Sequence, residues 1–190
     1  MMHIITGSAR GVKRETLKGE QPRPTSERAK EAIFSMLQFA LEGRRVLDLF
    51  AGSGQMGLEA LSRGAVSAVL ADKSKDAVGV ITRNAQKTKL IDRAKILAMD
   101  AKSYLARCAE GPFHLVFLDP PYAAGLLPDV LRTLLDKNLL SPGATVVAEC
   151  GDPKMLFGGD EALAARYSIE KEKRYGAAYV YFLTPCGEEV

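Results

Sequence analysis

After residue 45 the chain alternates between short apolar runs and longer stretches whose apolar positions recur every three or four residues. The runs at 46–50, 66–72, 95–99, 113–118 and 144–150 have the length and near-continuous apolar character of strands buried on both faces. Between them, 55–63, 74–88, 101–109 and 126–136 carry helical spacing. This alternation predicts an α/β fold, a largely parallel sheet with helices on both faces. The period changes at the end, where 167–174 and 178–184, joined through Tyr175-Gly176-Ala177, read as an antiparallel hairpin. Upstream, Ala29, Ala32, Ile33, Met36, Leu37, Ala40 and Leu41 share one helical face, with Thr25 as N-cap and Gly43 as stop. Residues 3–6 and 12–18 around Gly7 and Gly11 suggest a small N-terminal β-hairpin, and Gln21-Pro22-Arg23-Pro24 breaks regular structure. The division that follows is 1–22 as a basic hairpin appendage and 23–190 as the main domain.

Composition narrows the class. With 190 residues, 47% apolar and 26% charged, the chain suits a globular protein with one substantial core. No apolar run has bilayer length, and Met-Met-His-Ile-Ile-Thr-Gly lacks the basic flank and long apolar stretch of a secretory signal. Cys108, Cys150 and Cys186 are odd in number, far apart and outside any Cys-x-x-Cys pattern, which argues against a disulfide framework and against a metal site. A cytoplasmic protein with no membrane and no metal partner is expected.

The net charge of +3 is one-sided: residues 1–30 hold seven Lys or Arg against three Glu, and the remaining 160 hold 19 against 20 acids. Arg10, Lys13, Arg14 and Arg23 therefore offer a handle for nucleic-acid phosphates; a solvated surface hairpin without a partner is the alternative.

The sharpest chemical signal is Asp119-Pro120-Pro121-Tyr122, directly after the apolar run 113–118. A Pro-Pro pair cannot extend a central strand, so a stiff turn is expected at the carboxyl end of the sheet, where open α/β folds bind ligands. Asp119 and the Pro120 carbonyl can each accept one N–H of an exocyclic amine, and Tyr122 offers a flat face for a base. The plainer alternative is a rigid turn whose Asp caps the next helix.

A second signal is Phe50-Ala51-Gly52-Ser53-Gly54-Gln55-Met56-Gly57, in which Gly52, Gly54 and Gly57 satisfy G-x-G-x-x-G between a strand and a helix. Asp72, followed by Lys73, ends the second strand and suits ribose hydroxyls of NAD or of S-adenosylmethionine. Asp48, inside the first strand, suits a cationic amino-acid group and would sit badly beside a pyrophosphate. Asp100-Ala101 ends the third strand within reach of an adenine amine. Three acids at successive strand ends fit a cationic, phosphate-free cofactor, although Asp72 and Asp100 can also be helix caps and Asp48 a satisfied buried acid.

The ordered set Asp48-Leu49-Phe50-Ala51-Gly52-Ser53-Gly54, Asp72, Asp100-Ala101 and Asp119-Pro120-Pro121-Tyr122 resembles the S-adenosylmethionine-dependent methyltransferases of exocyclic amines. Ile4-Ile5-Thr6-Gly7 with Arg10-Gly11, Arg23-Pro24-Thr25-Ser26-Glu27-Arg28 and the run from Gly57 through Leu58-Glu59-Ala60-Leu61-Ser62-Arg63 to Gly64-Ala65 are more narrowly similar to the RsmD family of bacterial 16S rRNA guanine-N2 methyltransferases. That resemblance implies a Rossmann-like sheet of seven strands with the last hairpin reversed, and S-adenosylmethionine as cofactor. It implies a guanine conventionally numbered 966 as target, and 16S rRNA, the 30S subunit or its assembly intermediate as partner, gripped by the N-terminal hairpin. A monomer is expected. An NAD(P)-dependent oxidoreductase, a non-catalytic RNA-binding module, and a methyltransferase acting on another nucleic acid or a protein amine remain as alternatives.

Overall fold

The computed structural model describes residues 3–17 and 24–187. A seven-stranded sheet in the order β3-β2-β1-β4-β5-β7-β6 forms its centre. Its strands are β1 (Arg45–Asp48), β2 (Ser67–Asp72), β3 (Ala94–Ala98), β4 (Phe113–Leu118), β5 (Leu140–Cys150), β6 (Tyr167–Tyr175) and β7 (Ala178–Pro185). The first five run parallel, and β7 pairs antiparallel with both β5 and β6. The fold is thus the Rossmann-like arrangement with a reversed final hairpin. The hairpin turns through Gly176 at φ +63°, the left-handed corner a two-residue loop needs.

Alternation along each strand sends side chains to two separate cores. On one face Leu47, Val69, Val116, Leu118 and Val146 meet α4 (Ala101–Arg107), α5 (Leu127–Asp136) and α6 (Glu161–Ala164). On the other Val46, Leu70, Leu115, Phe117 and Val147 meet α1 (Pro24–Met36), α2 (Gln55–Ser62) and α3 (Lys75–Lys87). Phe34 of α1 lies against Phe117, ring centroids 5.8 Å apart, which sets α1 across the strand that leads into Asp-Pro-Pro-Tyr.

Three sequence expectations shift. Helix α1 opens at Pro24, a residue favoured in the first turn, which puts Thr25 within the helix, and it ends at Met36, before Ala40 and Leu41. Strand β5 starts at Leu140, through Pro142-Gly143, with an irregular register against β4 between Phe113 and Leu115 that tolerates the proline. Among its described residues, the N-terminal arm shows strand pairing only at an antiparallel bridge between His3 and Lys13. It is no loose appendage: Ile4 and Ala9 are buried, and the Ile5 and Thr6 N–H groups donate to the Glu59 carboxylate of α2 at 2.9 and 3.0 Å. Arg23 and Lys18 lie outside the described residues.

Candidate active site

Strands β1 to β5 end on the same side, and their ends carry the polar residues of the site. The turn after β1 is built by glycine. A Cβ on Gly57 would stand 2.7 Å from Leu70 Cδ2, so only glycine lets α2 pack this closely on β2. Asp48, at the end of β1, is buried, and its Oδ2 accepts the Gly57 N–H at 2.9 Å. Burial raises its pKa to about 7, opposed by the Gly57 N–H and assisted by the negative charge of Asp72.

Asp72 Oδ2 accepts the Gly52 N–H at 2.9 Å and Oδ1 the Ser74 N–H at 2.8 Å, so it braces the glycine loop. Each oxygen retains acceptor capacity for a hydroxyl. The cap at α3 is Ser74, not Asp72. Asp100 does cap α4, its Oδ1 accepting the Ser103 N–H at 2.9 Å, and this bond holds its carboxyl below the usual range. The capping and ligand readings are therefore compatible at Asp100, since one carboxylate serves more than one donor.

Two cavities meet at the Asp-Pro-Pro-Tyr turn. The larger, about 890 Å³, is lined by Phe50, Asp72, Lys73, Asp100, Ala101 and the whole of Asp119-Pro120-Pro121-Tyr122, with Leu126 and Val130 as an apolar wall. This volume lies in the range of nucleotide-sized pockets. The smaller, about 280 Å³, is lined by Asp48, Ala51, Gly52 and Ser53, by Lys30 and Ile33 of α1, and by Glu149, Tyr175, Ala177 and Ala178. Phe50, Asp119 and Tyr122 border both. Gly54 and Gly57, buried behind the loop, shape the wall and do not line either cavity.

Asp119 is exposed at this shared lip, and Tyr122 is fixed. The Tyr122 hydroxyl donates to Glu149 Oε1 at 2.6 Å, and burial together with Glu149 pushes the phenol pKa up. A Cβ on Gly151 would sit 2.7 Å from Tyr122 Cδ2, so the chain passes directly beside the ring. Sequence reasoning misses Glu149, although an acid closing the apolar run 144–148 carries the same strand-end signal that identifies Asp72 and Asp119. It also misses the Ser53 hydroxyl, which is buried on the smaller cavity and has no hydrogen-bond partner among the described residues.

The four basic candidates separate. Arg10 and Lys13 are exposed on the arm. Arg14 is buried, with Nη2 donating to the His3 carbonyl at 3.3 Å, so its side chain belongs to the arm's packing and not to an outward phosphate-binding face. Arg23 lies outside the described residues. Among the described residues no helix is long and apolar enough to cross a membrane.

Comparison with known proteins agrees with this fold. A family model described as "Conserved hypothetical protein 95" matches residues 2–184. Ribosomal RNA small subunit methyltransferase D of Escherichia coli strain K12 is 33% identical over 175 residues, 92% of this chain and 85% of that protein. Its namesake in Haemophilus influenzae is 32% identical over 177 residues, 92% and 89% of the two chains. Among solved structures, the putative methyltransferase YhhF of Escherichia coli superposes with a TM-score of 0.81 at 30% identity, covering 97% of both chains.

Proposed function

The chain belongs to the RsmD family of S-adenosylmethionine-dependent methyltransferases, and from that premise we propose that it methylates the exocyclic N2 of a guanine in 16S rRNA, the site conventionally numbered 966. The observation that carries the proposal is the shared lip. Asp119 and Tyr122 border a cavity that carries the acids following β2 and β3, Asp72 and Asp100, on one side and a cavity under α1 and the β6-β7 turn on the other. A donor with its adenosine in the first and its amino-acid end at Asp48 and Ser53 in the second would meet, at Asp119, a base entering the second from beneath α1 and the β6-β7 turn.

The residues fit the cofactor. Asp48 and the Ser53 hydroxyl, which has no partner among the described residues, suit the charged amino-acid end, Asp72 the ribose, and Asp100 with Ala101 the adenine, against the apolar wall of Phe50, Leu126 and Val130. When bound, S-adenosylmethionine supplies an electrophilic methyl on a sulfonium.

Guanine N2 is a weak nucleophile because its lone pair is delocalised into the ring. Asp119 and the Pro120 carbonyl, each accepting one N–H, draw the nitrogen toward tetrahedral geometry and aim the pair. With the donor bound, the N–CH3 bond would form as the S–CH3 bond broke, the electron pair of the latter remaining on sulfur. Acceptors already in place favour the positive charge that grows on nitrogen, and Asp119 is placed to take the surplus proton. Tyr122, with Pro121 keeping its turn stiff, clamps the base once it has left its stack. Arg10 and Lys13, with Arg23, serve as phosphate contacts that bring naked 16S rRNA or a 30S particle to the site.

Labelled-methyl transfer to 16S rRNA and to 30S particles tests this. Asp119→Ala is expected to lower transfer at least about 10²-fold with S-adenosylmethionine binding near normal; a variant at wild-type rate would remove Asp119 from the chemistry.

A further inference from the structure

Glu149 is held in the site by an interaction that leaves half of it unused. Its Oε1 accepts the Tyr122 hydroxyl, and no bond to Oε2 is present among the described residues. Leu118 of β4 pairs with Ala148 of β5, so Asp119 and Glu149 are the next residues on neighbouring parallel strands, which lie about 4.8 Å apart. Both side chains line the smaller cavity, and Asp119 and Tyr122 border the larger one as well.

Two carboxylates side by side impose a pattern on a base. If Asp119 takes the exocyclic amine, Glu149 faces the ring nitrogen next to it. Adenine N1 and cytosine N3, each adjacent to an amine, offer a lone pair and would meet the carboxylate unfavourably. Guanine alone among these offers an N–H, at N1 beside the N2 amine.

We infer that Glu149 is the specificity-determining residue that selects guanine, its Oε2 accepting the N1–H while Oε1 stays tied to Tyr122. The inference deepens the guanine-N2 reading above and rests on it. Tyr122 is then both clamp and tether: its hydroxyl fixes which carboxylate oxygen is left for the base, and Gly151 leaves room for the ring to hold that position.

The test uses semi-synthetic 16S rRNA with guanine or 2-aminopurine at the target position, naked and assembled into 30S particles. 2-Aminopurine keeps the C2 amine but presents a lone pair at N1. Wild-type protein is expected to prefer guanine at least about tenfold in kcat/KM. Glu149→Gln keeps an oxygen for Tyr122 and turns an amide N–H toward the ring, so the ratio is expected to fall to near one, with S-adenosylhomocysteine binding unchanged. Tyr122→Phe is expected to slow both substrates and retain a preference. Wild-type protein that treats the two bases alike, or Glu149→Gln that keeps the wild-type ratio while methylating guanine, overturns the role of Glu149 alone. Wild-type protein that binds S-adenosylhomocysteine yet methylates neither RNA overturns the guanine reading and this inference together.

Discussion

At Asp48 the protein keeps a carboxyl in a place that favours its neutral form, with burial raising the pKa from 3.8 to about 7. Because the folded-state pKa is raised, the stability this group contributes is present below about pH 4 and is lost as pH rises through about 7. A cationic amino group beside it would favour the ionised form. Binding of S-adenosylmethionine is therefore expected to tighten with pH below 7, by up to about tenfold per unit, and to level off above it. Asp48→Asn should bind more weakly with that pH dependence gone. Calorimetric titration from about pH 5.5 to 8, bracketing the raised pKa, measures both, and a wild-type affinity flat across that interval would detach Asp48 from the ligand. The acids at 72, 100 and 119 are legible from sequence because each ends or directly follows an apolar run, where side chains reach the mouth of a parallel sheet, and Asp48 because it interrupts such a run. Which partners each carboxylate already holds is not legible. The Gly52 N–H on Asp72 and the Tyr122 hydroxyl on Glu149 join positions 20 and 27 residues apart.

At the scale of elements, α2 links the arm to the glycine loop through one residue. Glu59 is fully buried and ion-paired with Lys30 of α1 at 3.1 Å and with Arg63 at 2.9 Å, while also accepting the arm's Ile5 and Thr6 N–H groups. Burial pushes its carboxyl up, but Lys30, the Ile5 N–H and Arg63 together outweigh that and hold it below the usual range. Burial, with the nearby charge of Arg14, brings Lys30 down to about 8 despite Glu59. Glu59→Ala leaves Lys30 buried without its counter-ion and is expected to cost about 3–5 kcal/mol. Thermal denaturation reads that loss, and limited trypsin digestion is expected to cut the variant first at Arg10 or Lys13. Since the Glu59 pKa is lowered, the stability it contributes is present above about pH 4.5 and is lost as pH falls through its folded value. Element order is readable from periodicity because strands buried on both faces and amphipathic helices differ in period. The arm's attachment is not readable, because it depends on an acid in the Leu-Glu-Ala-Leu run that looks like an ordinary helical surface position.

For the whole molecule, part of the excess positive charge at the amino-terminal end, Arg10, Lys13 and Arg14, sits on an arm fastened to α2 and α3. Arg10 and Lys13 are exposed there, and replacing both with Ala is expected to weaken rRNA binding and reduce the slope of log affinity against log salt by about one for each phosphate partner removed. Transfer at saturating RNA should survive. An unchanged slope in a filter-binding series would remove the arm from recognition. Charge counting locates this surface, but it cannot separate Arg14 from its neighbours, since burial of one guanidinium against a carbonyl leaves no trace in composition.

Asn84 of α3 has a larger part than its single side chain suggests. Fully enclosed, it donates to the Ser53 carbonyl of the glycine loop and to the Glu15 carbonyl of the arm, each at 3.0 Å, and accepts the Glu15 N–H at 2.7 Å. The amide works as a keystone between two stretches of chain that Glu59 of α2 also ties together. Trimming the arm to obtain a smaller unit would strand the Asn84 oxygen without its donor and loosen the amide that holds the Ser53 carbonyl, so the segment proposed to meet substrate is also scaffolding for the loop proposed to hold the methyl donor.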